Sequence, residues 1–238
     1  MIKNFFKILI IFIFGAAGGI FADQVLWPYF VERPLFYQYG LEQGPVYVTE
    51  RKEIIIQENT ALEDAVEKTE KSVIALKTTT EDEKILEGSG LIISSDGLFV
   101  TLAELVPQNS DFSFFVDGKA VPFQILKRDL KENLALIKLE QTNLSTVGFG
   151  DTNSIKLGER VFLVGTIFDG KNVQKVVDEG IIRTFNKDLI ITNISEKDGL
   201  LGSSLFDIEG RFLGLNTVDE NGKIIIVPVS KIRQFTGL

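Results

Sequence analysis

The chain has 238 residues, 45% hydrophobic and 24% charged, enough for one large or two small domains with a buried core. It contains no histidine and no cysteine, which excludes imidazole base catalysis, cysteine nucleophiles, Cys/His zinc sites and redox pairs, so catalysis would need a carboxylate, lysine or N-terminal mechanism, or a borrowed cofactor. The net charge is −8, and setting Lys3 and Lys7 aside leaves 23 basic residues (25 − 2) against 33 acidic ones, which argues against a nucleic-acid-binding surface.

The N-terminal segment, residues 1–27, places Lys3 and Lys7 before an uncharged run from Ile8 to Ala22. That length suits either a signal peptide or a transmembrane anchor. Ile20 is poor at the −3 position for cleavage after Ala22, apolar residues resume at Val25 and Leu26, and Trp27 and Tyr29 fit an interfacial aromatic belt. These features favour a retained signal anchor over a cleaved signal peptide or a buried core helix. The lysines precede the apolar run, so the expected orientation puts the N-terminus in the cytoplasm and the rest outside, as a single-pass cell-membrane protein.

Residues 28–58 form an extracytoplasmic spacer broken by Pro34, Gly40, Gly44 and Pro45. Its aromatics, Tyr29, Phe30, Phe36, Tyr37 and Tyr39, can rest on lipid headgroups or the following domain, or present a stripe to a partner. Glu53 to Gln57 has the pattern of a strand that could pair with a sheet edge or a second copy.

Residues 59–238 make the folded domain. Thr60-x-x-Glu63 has capping-box form and predicts a helix through about Lys71, with Leu62 and Val66 on one face. From Ser72 onward short apolar runs recur between turns: SVIALKTT, ILEGSGLIIS, LFVTLAELV, FSFFVDG, AVPFQILKRD and LALIKLE. A second series follows: VFLVGTIF, VQKVVDEGIIRTF, LIITNI, SSLFD, RFLGLNT and KIIIVPV. The expected fold is all-β, with antiparallel barrels of about six strands each over residues 72–145 and 146–230.

The residues between Thr192 and Thr217 carry the functional argument. A polar segment leads into Gly199-Leu-Leu-Gly202, and a hairpin follows through Asp207 to Gly210 into Phe212-Leu-Gly-Leu-Asn216. This stretch resembles the nucleophile region of the HtrA/Deg branch of trypsin-like serine proteases, with Leu201 at the nucleophile position. Gly88-Ser-Gly-Leu-Ile-Ile-Ser-Ser-Asp-Gly-Leu-Phe-Val-Thr101 is similar to the run before that family's catalytic histidine, and counting on from Thr101 reaches Glu104. Leu134-Ala-Leu-Ile-Lys138 resembles the run after the catalytic aspartate and is preceded by Asn133. The resemblance covers roughly residues 60 to 232 and implies a double-barrel trypsin-like fold. Many relatives continue into a PDZ domain; the expectation here is that none follows Val227 to Arg233, which leaves oligomer formation open.

At the three triad positions the resemblance thus places Glu104, Asn133 and Leu201. Leucine has no lone pair with which to attack a carbonyl, and the expectation is a pseudoprotease: not an enzyme, but a membrane-tethered domain that binds a peptide or protein or serves as an envelope scaffold. The backbone amides of Gly199 and Leu201 are candidates for a remnant oxyanion cradle. The alternative is a serine-type hydrolase with a non-standard site, using Ser203 or Ser204 with Glu104 as base. No cofactor or metal is expected: Glu81-Asp-Glu-Lys84 and Asp219-Glu-Asn-Gly222 read as solvated turns, and no phosphate-binding glycine pattern occurs.

Overall fold

A computed structural model describes residues 2–27, 60–170, 172–195, 200–219 and 222–238. The spacer and the Glu53 to Gln57 strand lie outside the described residues, as do Gly199 and part of the turn after Asp219. The chain divides into two units, Met1–Gln57 and Glu58–Leu238.

In the first unit, α1 (Ile2–Phe21) continues through a π-helical turn, Ala22–Leu26. The apolar stretch Leu9–Leu26 is long and apolar enough to cross a membrane. At 1.5 Å per residue the 20 residues of α1 reach about 30 Å, the hydrocarbon thickness of a bilayer. Its Phe12 and Phe14 are 73% and 75% exposed among the described residues.

The second unit opens with helical residues 60–69 (α2) and a 3-10 turn, Glu70–Ser72. Seven strands follow: β1 (Val73–Thr79), β2 (Ile85–Ile92), β3 (Leu98–Thr101), β4 (Asp111–Val116), β5 (Lys119–Val121), β6 (Phe123–Asp129) and β7 (Leu134–Leu139). They pair in the order β5-β4-β1-β2-β3-β7-β6. Six more, β8 (Arg160–Asp169), β9 (Asn172–Phe185), β10 (Ile190–Thr192), β11 (Ser204–Asp207), β12 (Phe212–Val218) and β13 (Ile224–Pro228), close into a barrel ordered β10-β13-β12-β11-β8-β9. A C-terminal helix, α3 (Val229–Thr236), ends at Gly237, whose φ of 83° suits a left-handed cap.

The double β architecture is as expected, with one difference in the first half. Residues 72–145 form a curled sheet of seven strands whose hydrogen bonding does not close. The cause is Pro122, which interrupts the apolar run 120–129. Proline has no N–H to give to a ladder, so the run splits into β5 and β6. Those two strands are opposite edges of the sheet yet are joined through Pro122 alone, so the sheet must curl for its edges to meet.

One apolar cluster runs from the curled sheet into the barrel. It includes Phe99 and Phe114, edge to face at 5.6 Å, Phe162 stacked on Phe206 at 5.5 Å, and Val229, Ile232 and Phe235 of α3. Each large side chain so buried is worth roughly 1.5–3 kcal/mol. A second cluster, including Leu163, Ile182, Leu205 and Ile226, fills the barrel. The shared first cluster holds the two halves in register and so positions the site between them.

Candidate functional site

The seam between the halves is built around Ser89 on β2. Its N–H donates to the Leu201 carbonyl at 2.9 Å, and its own carbonyl accepts from Thr101 Oγ1 at 2.6 Å. Its hydroxyl accepts from the Thr166 N–H at 2.8 Å and shares a hydrogen bond with Thr166 Oγ1 at 2.9 Å. One buried residue thus ties β3, β8 and the 200–203 loop together. The flanking Gly88 is required by close approach: a Cβ there would stand 2.5 Å from Leu105 Cδ1 and 2.7 Å from the Leu201 carbonyl oxygen.

The loop itself is tied to β12. Gly202 N–H donates to the Asn216 carbonyl at 2.8 Å, Asn216 N–H returns to the Ser203 carbonyl at 2.8 Å, and Asn216 Nδ2 reaches the Leu200 carbonyl at 2.9 Å. Gly202 has φ of 73°, and a Cβ on it would lie 2.1 Å from the Ser89 carbonyl oxygen, so glycine alone fits.

Beside this loop lies a polar cluster. Glu104 sits in a 3-10 turn, Ala103–Leu105, directly after β3. Asn133 precedes β7 with φ of 53°, a left-handed conformation that asparagine tolerates. Its Oδ1 accepts from the Glu104 N–H at 3.0 Å and its Nδ2 donates to Glu104 Oε1 at 2.7 Å. Thr217, from β12, donates through its hydroxyl to the same Oε1 at 2.9 Å. Glu104 also borders a cleft of about 390 Å³ lined by Thr80, Glu81, Asp82, Leu86 and Pro107.

Of the residues singled out from sequence, Glu104 and Asn133 are brought into direct contact. Leu201 lies next to the turn that carries Glu104, since its carbonyl and the Leu105 side chain both border Gly88. The Leu201 side chain packs, half-buried, on the main apolar cluster. Gly199 lies outside the described residues. Ser203 and Ser204 are fully buried, and their hydroxyls have no hydrogen-bond partner among the described residues. Glu104 bonds to Asn133 and Thr217, and to neither serine. Among the described residues no cluster of three or more acidic side chains is placed to hold a metal.

Thr217 was not anticipated. The sequence signal was only a hydroxyl residue following Asn216 in a largely apolar run; the structure buries it, at 4% exposure, where an aliphatic residue would be the ordinary choice.

With this geometry in hand, the comparisons are informative. The family described as Trypsin-like peptidase domain matches residues 88–215, more than half of the chain, and the chain belongs to that family. A probable periplasmic serine endoprotease, DegP-like, of Halomonas elongata is 30% identical over 145 residues, covering 57% of this chain and 30% of that protein. Serine protease HTRA1A of Danio rerio is 28% identical over 193 residues, covering 72% and 40%. The chain therefore spans a third or so of the length of such relatives. A solved HtrA-type protease, AlgW with tripeptide, superimposes with a TM-score of 0.66 at 23% identity, over 74% of this chain and 62% of that one, and shows the shared fold.

Membership corrects one expectation. The reading that the chain is not an enzyme is overturned by its place in a family of peptidases whose relatives are named serine endoproteases. The expectation rested on side-chain chemistry at three positions; the match over 128 residues (88 to 215) is the broader finding.

Proposed function

We propose that this chain is a membrane-tethered, HtrA-like domain that engages an extended stretch of polypeptide at the seam beside Glu104. The observation that supports this reading is convergence: Glu104, Asn133 and Thr217, from three separate segments, meet at one carboxylate oxygen next to the 390 Å³ cleft. The second oxygen, Oε2, has no partner among the described residues and is the natural acceptor for a polypeptide N–H or a basic side chain. Glu104, Asn133 and Leu201 are proposed to occupy the places of the family's catalytic triad. The N-terminal helix is proposed to stay attached as a single-pass anchor, with the β domain on the extracytoplasmic side, the compartment named for the DegP-like relatives.

The test uses the intact chain in detergent with a fluorescent unfolded polypeptide, read by anisotropy. Saturable binding that weakens at least about tenfold, or about 1.4 kcal/mol, in Glu104→Arg is expected. Glu104 is exposed, so the variant should fold; no binding, or equal binding by the variant, would overturn the proposal. Family membership favours a second reading, hydrolysis at the same place. Mass spectrometry of the same mixture decides it: product that disappears in Glu104→Gln supports hydrolysis, and intact polypeptide removes it.

A further inference from the structure

Away from this site, Lys175 on β9 reaches across to the start of the curled sheet. Its Nζ donates to the main-chain carbonyls of Glu70, at 2.7 Å, and Val73. The side chain as a whole is exposed while its tip is withdrawn beside a cavity of about 290 Å³, walled by Val73, Ala75, Phe115, Asp117 and Val173. Lys68 and Lys127 also donate to a main-chain carbonyl, of Glu209 and Phe235, but Lys175 is held by two such carbonyls and by no carboxylate among the described residues. Lys77, Lys138 and Lys231 each face a carboxylate, at 2.9, 2.6 and 3.0 Å. A carboxylate adds a full opposite charge that favours the ammonium, whereas a neutral carbonyl favours it less and also accepts from a neutral amine.

From this arrangement we propose that Lys175 is an acylation site that takes small activated acyl groups of the acyl phosphate class. As a neutral amine, Nζ keeps two N–H groups on the two carbonyls, and the remaining tetrahedral position carries the lone pair. That pair attacks the acyl carbon, the C–N bond forms, the bond to the phosphate oxygen breaks, phosphate leaves with those electrons, and the nitrogen's surplus proton passes to water. The resulting amide is uncharged and has a single N–H, so one of the two carbonyls loses its partner and the tie between β9 and the start of β1 loosens.

The charged groups facing Nζ are Glu70 and Lys71 from the turn after α2 and Asp117 from the β4–β5 turn. Withdrawal of the tip from water pushes its pKa down to about 8, against the opposing pull of Glu70 and Asp117. At pH 8 about half of Lys175 is then free amine, against roughly 0.3% for a lysine with the ordinary value.

The experiment exposes the intact chain in detergent micelles to trace acetyl phosphate from pH 6.5 to 10.5, reading each lysine by mass spectrometry. Lys175 is expected to acetylate about tenfold faster at pH 8 than the exposed Lys119, Lys187 and Lys223, with a midpoint near 8. Asp117→Asn should move that midpoint lower, because it removes a charge that favours the ammonium. A midpoint at the ordinary lysine value, or a rate for Lys175 no greater than those three, would overturn the proposal.

Discussion

Asn133 grips Glu104 with both ends of its carboxamide, taking the backbone N–H at 3.0 Å and giving a hydrogen bond to the carboxylate at 2.7 Å. The grip depends on the left-handed backbone of Asn133, which aims both amide atoms at the turn after β3. Asn133→Ala should lose both bonds and strain the backbone, destabilising the domain by about 2–3 kcal/mol. Asn133→Asp keeps the backbone tolerance but sets a second carboxylate against Oε1. Like charges there raise the folded-state pKa values of the pair, so the folded state binds more protons and stability falls as pH rises. Thermal melts should show Asn133→Asp close to wild type at pH 4 and clearly below it at pH 7; an equal deficit at both would contradict this account.

Ser89→Ala removes the acceptor for the buried Thr166 N–H, which is left unsatisfied, while the Thr166 hydroxyl keeps the Gly88 carbonyl at 3.2 Å. A loss of about 2 kcal/mol in urea unfolding is expected, with an unchanged m-value. A loss below about 0.5 kcal/mol would mean that the seam does not depend on this residue.

Gly202→Ala meets two obstacles, positive φ and the Ser89 carbonyl oxygen 2.1 Å from the new Cβ. Chemical denaturation should show about 3 kcal/mol or more of destabilisation. Gly118→Ala is the control: it shares a positive φ, 73°, but has open space around it, and should lose only about 1–2 kcal/mol.

The lowered pKa of Lys175 has a linkage consequence of definite sign. Between about 8 and the ordinary lysine value the unfolded chain carries the proton and the folded chain does not, so stability rises with pH across that window. The stability of wild type relative to Lys175→Met is therefore expected to increase from pH 8 to pH 10.5. A flat or falling difference would remove the buried-amine description.

If the N-terminal helix is retained, intact-mass measurement on protein extracted from membranes will give a chain that begins at Met1 or Ile2. A mass that starts at Asp23 would identify a cleaved signal peptide instead.

The β architecture was legible along the chain because its causes are local. Turn residues such as Asp96-Gly97 and Asp207 to Gly210 punctuate apolar runs whose length and β-branching suit strands, and twelve runs read from sequence correspond to the strands found once Pro122 divides one of them. Glu104 and Asn133 were marked through the resemblance to HtrA/Deg proteases, by carrying that family's offsets onto Thr101 and Leu134, and short connections keep such offsets faithfully. Thr217, Ser89 and Lys175 were not marked in this way. The partners of Thr217 and Lys175 lie 113 and 105 residues away, and the Ser89 partner Thr166 lies 77 away. Which of these atoms meet depends on barrel register and on how the shared phenylalanine cluster docks the two halves. Side-chain identity along the chain states what each group can donate or accept; only the packed fold decides which groups are close enough to do so.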